Sequence, residues 1–342
     1  MRLVEAEGKA LLQEFGIPVP ASVLLEESVV LAEAPFAETV LKPQLLQGGR
    51  GRAGWVQMTT GETFPARLAT LRSELTRLPG SPPILAEERI EVLAEYYLAV
   101  RIDDALRCPV LLFSTSGGSE VEEHPDLVRP REIDPLEELR PYQLVDFFKA
   151  AGIAGGPIGA LCRLASDLLR VFRRSDAQLI EINPLAVTRA GRLVALDAKV
   201  ELDDQASFRH ATETASVSRR LWRAQTSPLE ARASELGVTF VDMEGEIALI
   251  SGGAGLGMAL LDMLADAGLR PANFVDARGG TGASTFAEMV RLVFDRAERS
   301  DVQAIAFYLT LAATSLGEAV NGFLKLLQTR PPPKPLFIGL VA

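Results

Sequence analysis

From Glu246 onward, short apolar runs alternate with helical segments, and that rhythm restricts the fold more than any other feature. Ile247-Ala-Leu-Ile is followed by a glycine turn and a helical stretch over Leu256–Ala267. Then come Phe274-Val, a helix over Phe286–Arg296, a strand over Ala304–Tyr308, a helix over Leu316–Leu327 and a strand over Leu336–Val341. A strand that returns parallel to its predecessor needs a crossover long enough to hold a helix, so this alternation predicts a doubly wound parallel sheet of α/β class. Earlier in the chain the texture differs. Thr39-Val-Leu-Lys-Pro, Trp55-Val-Gln-Met, Pro83–Glu87, Tyr96–Val100 and Pro109–Phe113 are strand-like runs parted by turn residues. Helical spacing is confined there to Leu3–Phe15, Tyr142–Ala151 and Ile158–Phe172. An α+β block over 1–225 is therefore expected before the α/β block over 244–342, with a linker over 226–243 that begins inside an Arg-, Ser- and Thr-rich stretch running from about 205 to 235. A length of 342 residues suits two such domains.

Charge narrows the function. The chain carries 45 acidic and 35 basic side chains, a net charge of -10. That balance argues against a nucleic-acid partner, which needs clustered Lys and Arg to neutralise phosphates. No run reaches the roughly 18 apolar residues of a membrane helix, and the acidic start lacks the apolar core of a signal peptide. Cys108 and Cys162 are too far apart in sequence for a metal-binding pair, and a reducing, cytoplasmic setting is expected. With only His124 and His210, a site built on several histidines is excluded.

Gln47-Gly-Gly-Arg-Gly-Arg-Ala-Gly54 puts four glycines and two arginines into eight residues. Glycines let backbone N–H groups converge on an anion, and arginines add charge. There is no Gly-Lys-Ser/Thr, and the flanks are strands, so the loop is not a Walker loop. It reads as a hairpin loop over nucleotide phosphates, with Lys42 on the preceding strand reaching the same groups. A flexible hairpin with surface arginines is equally compatible.

Glu181-Ile-Asn-Pro-Leu and Leu196-Asp-Ala-Lys form a second constellation. In a strand, Glu181 and Asn183 share one face while Ile180 and Ile182 share the other. A hairpin turning symmetrically about Ala190 sets Asn183 opposite Asp197 and Glu181 opposite Lys199. One amide oxygen and one carboxylate at cross-strand distance suit Mg²⁺, which completes its shell with water and phosphate. The polar face of an ordinary hairpin has the same pattern. Glu87 and Glu95, at neighbouring strand ends, are placed to accept from ribose hydroxyls or an adenine amine, as solvated glutamates also are. Two further glycine-rich turns, Ser251-Gly-Gly-Ala-Gly255 and Gly279-Gly-Thr-Gly-Ala-Ser-Thr285, open helices, where backbone N–H groups favour anions.

Taken in order, Lys42, Gly48-Gly-Arg-Gly, Glu87, Glu95, Glu181-Ile-Asn-Pro-Leu and Leu196-Asp-Ala-Lys resemble the ATP-grasp beta subunits of succinyl-CoA synthetase and related acid–CoA ligases. Phe15-Gly-Ile-Pro-Val-Pro, Gly117-Gly-Ser-Glu-Val-Glu, Phe208-Arg, Gly253-Ala-Gly-Leu and Pro271-Ala-Asn-Phe-Val-Asp extend the resemblance along the chain. It implies an ATP-grasp domain followed by a flavodoxin-like CoA-ligase domain. It implies that Lys42, Gly49, Arg50 and Gly51 contact phosphate, that Glu87, Ile90 and Glu95 contact the nucleoside, and that Asn183 and Asp197 hold Mg²⁺. Glu181 would be a polar neighbour of the metal and of the phosphoryl path. ATP or GTP and CoA would be substrates. A partner alpha subunit would carry the phosphohistidine, in keeping with the scarcity of histidine here, and His124 and His210 would be structural.

The second domain departs from the family pattern. Gly252 stands where the family usually has asparagine, and Leu311-Ala-Ala-Thr-Ser315 replaces a Gly-Gly-Ile loop followed by Arg and Asp. By the resemblance, Gly252, Ala312, Ala313 and Thr314 line the acid site, which then lacks an amide and a cation. The acid is thus open among succinate, malate, citrate and other small carboxylic acids, and a non-catalytic nucleotide-binding partner subunit is the rival reading. The chain also stops about one helix and one strand before the family's usual end, as a shortened or truncated member would.

Overall fold

The computed structural model describes residues 1–29, 31–136, 138–210, 215–276, 283–310 and 316–341, which form two compact units dividing between Gln225 and Thr226. The first unit begins with α1 (Glu5–Glu14), β1 (Ser22–Leu25), β2 (Glu38–Pro43), β3 (Gln57–Thr60), α2 (Phe64–Leu75) and β4 (Ile84–Glu88). It continues with β5 (Val92–Asp103), β6 (Cys108–Ser114), α3 (Ser119–Glu123), β7 (Arg129–Glu132), α4 (Val145–Ala150) and α5 (Pro157–Arg174). It ends with β8 (Ala177–Thr188), β9 (Leu193–Ala195), β10 (Lys199–Leu202) and α6 (Ser216–Gln225).

These strands make two antiparallel sheets, β1-β4-β2-β3 and β10-β8-β5-β6-β7 with β9 on β8. Helix α5 explains itself: Pro157 opens it, Arg173 and Arg174 complement its C-terminal dipole, and Leu161, Ala165, Leu168, Leu169 and Phe172 form its buried stripe. That stripe packs with Phe113, Phe148, Ile180 and Ile182, each large side chain contributing roughly 1.5–3 kcal/mol by leaving water. Helix α2 was not expected from the sequence. Phe64, Leu68, Leu71 and Leu75 nevertheless recur at helical spacing and cover Leu25, Leu41 and Ile84 of the smaller sheet.

The second unit runs α7 (Pro228–Glu235), β11 (Thr239–Asp242), β12 (Ile247–Ser251), α8 (Ala254–Asp266) and β13 (Asn273–Asp276). α9 (Ala283–Ala297), β14 (Ala304–Thr310), α10 (Leu316–Thr329) and β15 (Leu336–Val341) follow. β12, β14 and β15 form the expected parallel sheet, each crossover holding a helix. β13 differs: it pairs antiparallel with β11. The buried Asn273 side chain bridges it to β12, accepting from Leu249 N at 3.1 Å and donating to Leu249 O at 2.8 Å.

The expected linker over 226–243 is instead folded into this unit. Ser227 and Glu230 close a reciprocal capping box at the start of α7, and the Glu230 carboxylate also accepts from Asp242 N at 2.9 Å. The Arg-rich stretch before it draws attention from a helix start that the Ser-Pro-x-Glu spacing does encode. Among the described residues, no helix is long and apolar enough to cross a membrane.

Candidate nucleotide-binding site

Strand β2 sets the first group. Thr39, Leu41 and Pro43 face the core, so alternation turns Val40 and Lys42 to the other face. β2 and β3 pair antiparallel with Leu41 opposite Gln57, so the glycine-rich segment is a hairpin connection, as expected. Its turn uses Gly49 at φ +81°, a conformation that a side chain disfavours. Ala53 N then donates to Gly49 O at 3.1 Å and Trp55 N to Arg50 O at 3.0 Å. The loop thereby aims the Arg50 guanidinium back at β2, where it donates to Pro43 O at 3.1 Å and to both Asp197 carboxylate oxygens at 3.1 and 3.3 Å.

Helix α1 brings charges to the same place. Glu5 and Lys9, one turn apart, are both almost wholly buried. Glu5 Oε1 accepts from Lys9 at 2.6 Å and from Lys42 at 2.8 Å, while Arg50 Nη2 lies 2.6 Å from Oε2. Lys9 and Lys42 both pair with Glu87 and both donate to Leu196 O, at 2.7 and 2.6 Å. Between Glu5 and Lys9, Gly8 lets the helix sit close: a Cβ there would lie 3.2 Å from Ala198 O and from Val200 Cγ2.

Three carboxylates thus face three cations, which is the condition under which charges tolerate burial. Burial alone would raise Glu5, but Lys42, Lys9 and Arg50 overcome it and hold the carboxyl well below the usual range. Burial likewise works against Lys42, yet Glu5, Glu87 and Asp197 hold its ammonium above the usual lysine value. Asp197 is shifted upward by burial and then by Glu5, against the pull of Arg50 and Lys42.

The second group lies on β8. Lys199 pairs with Glu181 and Leu185 with Ala195, so the register on both sides is that of a turn centred on Ala190. Asn183 Oδ1 accepts from Gly118 N at 2.6 Å, and its Nδ2 donates to Gly118 O at 3.1 Å. The loop carrying Gly118 packs against β5, where a Cβ on Gly117 would lie 2.8 Å from Tyr96 O. Glu181 Oε2 accepts from the Tyr97 hydroxyl at 3.4 Å, and burial followed by the Glu181 charge keeps that phenol protonated.

Lys42, Arg50, Glu87 and Asp197 therefore meet in one cluster, with Gly49 and Gly51 in the loop that shapes it. The Glu87 side chain is enclosed there rather than open at a strand end. Ile90 is half-buried on the connection from β4 to β5, and Glu95 is exposed on β5. Gly252 sits in the second unit, exposed at the turn from β12 to α8. Ala312, Ala313 and Thr314, and residues 279–282 of the other glycine-rich turn, lie outside the described residues. His210 Nε2 pairs with Asp176 at 2.7 Å. Glu5, Lys9 and Tyr97 escaped the sequence reading. The i, i+4 spacing of Glu5 and Lys9 was the available signal, but it looks the same on a solvated helix.

Comparisons with known proteins place the chain in a family. Residues 2–187 match the ATP-grasp domain family. The succinate–CoA ligase [ADP-forming] subunit beta of Thioalkalivibrio sulfidiphilus is 37% identical over 310 residues, 86% of this chain and 79% of that protein. The succinate–CoA ligase [GDP-forming] subunit beta of Thermus thermophilus is 33% identical over 339 residues, 96% and 87% of the two chains. Among solved structures, the ATP citrate lyase of Methanothrix soehngenii in complex with citrate and coenzyme A superposes with a TM-score of 0.71. That match covers 99% of this chain and 96% of the other, and at 17% identity it speaks for the fold alone. The chain is an ATP-grasp protein of the succinate–CoA ligase beta-subunit family.

Proposed function

We propose that this chain is the nucleotide-binding subunit of an ATP- or GTP-dependent acid–CoA ligase. In this reading an acid is activated as an acyl phosphate and captured by CoA, with a histidine of an alpha-type partner chain carrying phosphate between the sites. The observation that carries it is the convergence of Lys42, Arg50 and Asp197 beneath a glycine hairpin loop. Lys42 and Arg50 would bind the nucleotide phosphates and hold them in line for transfer, and the Gly49–Gly51 backbone would close over them. Glu87 would serve the nucleotide indirectly, by holding Lys42, since its side chain is committed to Lys9 and Lys42 and its strand is paired on both sides. Ile90 and Glu95 would bound the rest of the nucleoside. Glu181, steadied by Tyr97, would orient the partner's histidine as it receives phosphate.

The donor set also suits Mg²⁺. Asp197 offers a carboxylate and Asn183 an amide oxygen, both hard ligands, and the Asn183 oxygen keeps a lone pair beyond its bond to Gly118. Among the described residues no three His, Cys, Asp or Glu side chains converge as a metal cage, so most of the ion's shell would come from water and phosphate. When bound, Mg²⁺ would neutralise charge on the transferring phosphoryl group. Asp197→Ala is expected to weaken Mg-nucleotide binding by at least roughly 10–100-fold, while binding of metal-free nucleotide does not weaken. Equal loss with and without Mg²⁺ in calorimetric titrations would refute the metal role.

The acid is the finer question. Gly252, with Ala312, Ala313 and Thr314, offers no charged side chain to a remote carboxylate. A missing donor costs about 1–3 kcal/mol of discrimination, so succinate is expected to be a poorer substrate than a bulkier or less charged acid. Steady-state rates with succinate, malate, citrate and a monocarboxylate, measured on this chain co-purified with its alpha-type partner, decide it. A kcat/KM for succinate well above the others would overturn that expectation.

A further inference from the structure

Glu5 and Lys9 belong to none of the groups that a phosphate would touch, yet they are, with Glu87, the enclosed charges of the cluster, their side chains 1% and 3% exposed. Glu5 takes a cation on each side: Lys42 at Oε1 and Arg50 at Oε2. Lys9 stands behind it, paired with Glu5 and Glu87 and tied to Leu196 O, and both come from one turn of α1. A carboxylate fixed in this way cannot follow its cations outward. It holds both cations from within, and Lys42, whose three N–H donors go to Glu5, Glu87 and Leu196 O, meets a phosphate by exchanging one of them.

We infer that Glu5, neutralised from behind by Lys9, is a positioning residue for the phosphates: it holds Lys42 and Arg50 at fixed places and moderates their grip on the nucleotide. The inference rests on the nucleotide-binding reading above and adds an internal counter-anion to it. The balance of three carboxylates and three cations has a direct consequence. Removing the Glu5 charge leaves one positive charge in excess beside the phosphates. Removing the Lys9 charge leaves one negative charge in excess. In a poorly solvated cluster a single unit of charge changes affinity by roughly tenfold or more. Tighter binding of substrate and product alike does not speed a reaction, so moderation favours turnover and fixed geometry favours transfer.

The test uses the full chain and Mg-ADP as the titrated probe. Glu5→Gln should tighten Mg-ADP by about tenfold, Lys9→Met should weaken it by about tenfold, and the charge-balanced double variant should return to within about threefold of the parent. Glu5→Asp and Lys9→Arg, which keep the charges, should stay near the parent. A merely structural role would weaken binding in both single variants alike, and that result overturns the inference. Where Glu5→Gln does not fold, the contrast of Lys9→Met with Lys9→Arg decides: equal affinities refute it. Lys42→Ala separates the two readings. Should Lys42→Ala bind Mg-ADP like the parent, the phosphate site itself is wrong. Should it lose binding while Glu5→Gln and Lys9→Met show no opposed shifts, only the counter-anion role falls.

Discussion

Lys42→Ala should abolish detectable Mg-nucleotide binding and destabilise the first unit in the same molecule. Lys42 is 12% exposed, and its ammonium meets Glu5 at 2.8 Å, Glu87 at 2.5 Å and Leu196 O at 2.6 Å. Without it, three carboxylates share two cations, and two of those carboxylates are buried. Removing one partner of a buried ion pair typically costs about 3–5 kcal/mol, because the charge left behind has lost its hydration as well as its partner. Urea unfolding of the parent and variant reads that loss. Nucleotide binding has its own readout: at a hundredfold excess over Kd a ligand stabilises the folded state by about 2.7 kcal/mol. The parent should show this gain with Mg-ATP, and Lys42→Ala should show none. A variant that is destabilised but still gains normally from Mg-ATP would make the cluster a structural ion network and move the phosphates elsewhere.

The contrast between what the sequence disclosed and what it hid follows from the range of the interactions. The hairpin of β8 and β9 is legible because its alternation, its Ala190-Gly191 turn and its two motifs lie within twenty residues, and Lys199 indeed pairs with Glu181. The parallel sheet of β12, β14 and β15 is legible because each crossover carries its own helix pattern. β13 differs, since a short apolar run does not say which neighbour it pairs with: its backbone pairs with β11, and only the Asn273 side chain bridges it to β12. Helices α6 and α7 were hidden by composition: arginines crowd the first and precede the capping box of the second.

The ion cluster is the least legible part. Lys9 meets Leu196 only because Gly8 admits α1 against residues some 190 positions away, and nothing local to the helix announces that approach. A charged pair at i, i+4 is ordinarily a solvated stabiliser worth a few tenths of a kcal/mol. Here enclosure by β2, β4 and the Leu196–Ala198 segment changes its meaning. Glu87 shows the same effect in reverse. A glutamate at a strand end suggested an open contact with the nucleoside, and tertiary packing turned its side chain inward to two lysines.

Arg296→Ala should be the most destabilising single change in the second unit. The Arg296 side chain is 1% exposed, and its guanidinium ties three segments to α9. Nε lies 2.8 Å from Asp242 Oδ1 and donates to Ala272 O at 3.2 Å, and Nη2 donates to Met243 O at 2.8 Å. Nη1 and Nη2 also reach the two oxygens of Asp301 at 3.0 and 2.7 Å. The contributions are unequal. Asp301 is 49% exposed, so that pair is screened and contributes about 1 kcal/mol or less. Asp242 is 13% exposed and keeps Arg299 at 2.9 Å after the substitution, which softens its loss. Ala272 O keeps its bond from Met243 N at 2.9 Å. Met243 O loses its guanidinium donor, and the space of a long side chain empties behind β11. An acceptor left unpaired costs about 1–3 kcal/mol when fully buried and less at half-buried Met243, and a truncated buried side chain costs about 2–5 kcal/mol. A total near 3–5 kcal/mol is therefore expected for Arg296→Ala, with Arg296→Lys in between because one ammonium cannot span all three segments. Hydrogen exchange locates the effect: amides of β11, β13 and α9 should lose protection while those of β5 and β8 keep theirs. A variant within about 1 kcal/mol of the parent, with β11 and β13 still protected, would show that packing around the sheet and not this guanidinium joins α9 to those strands.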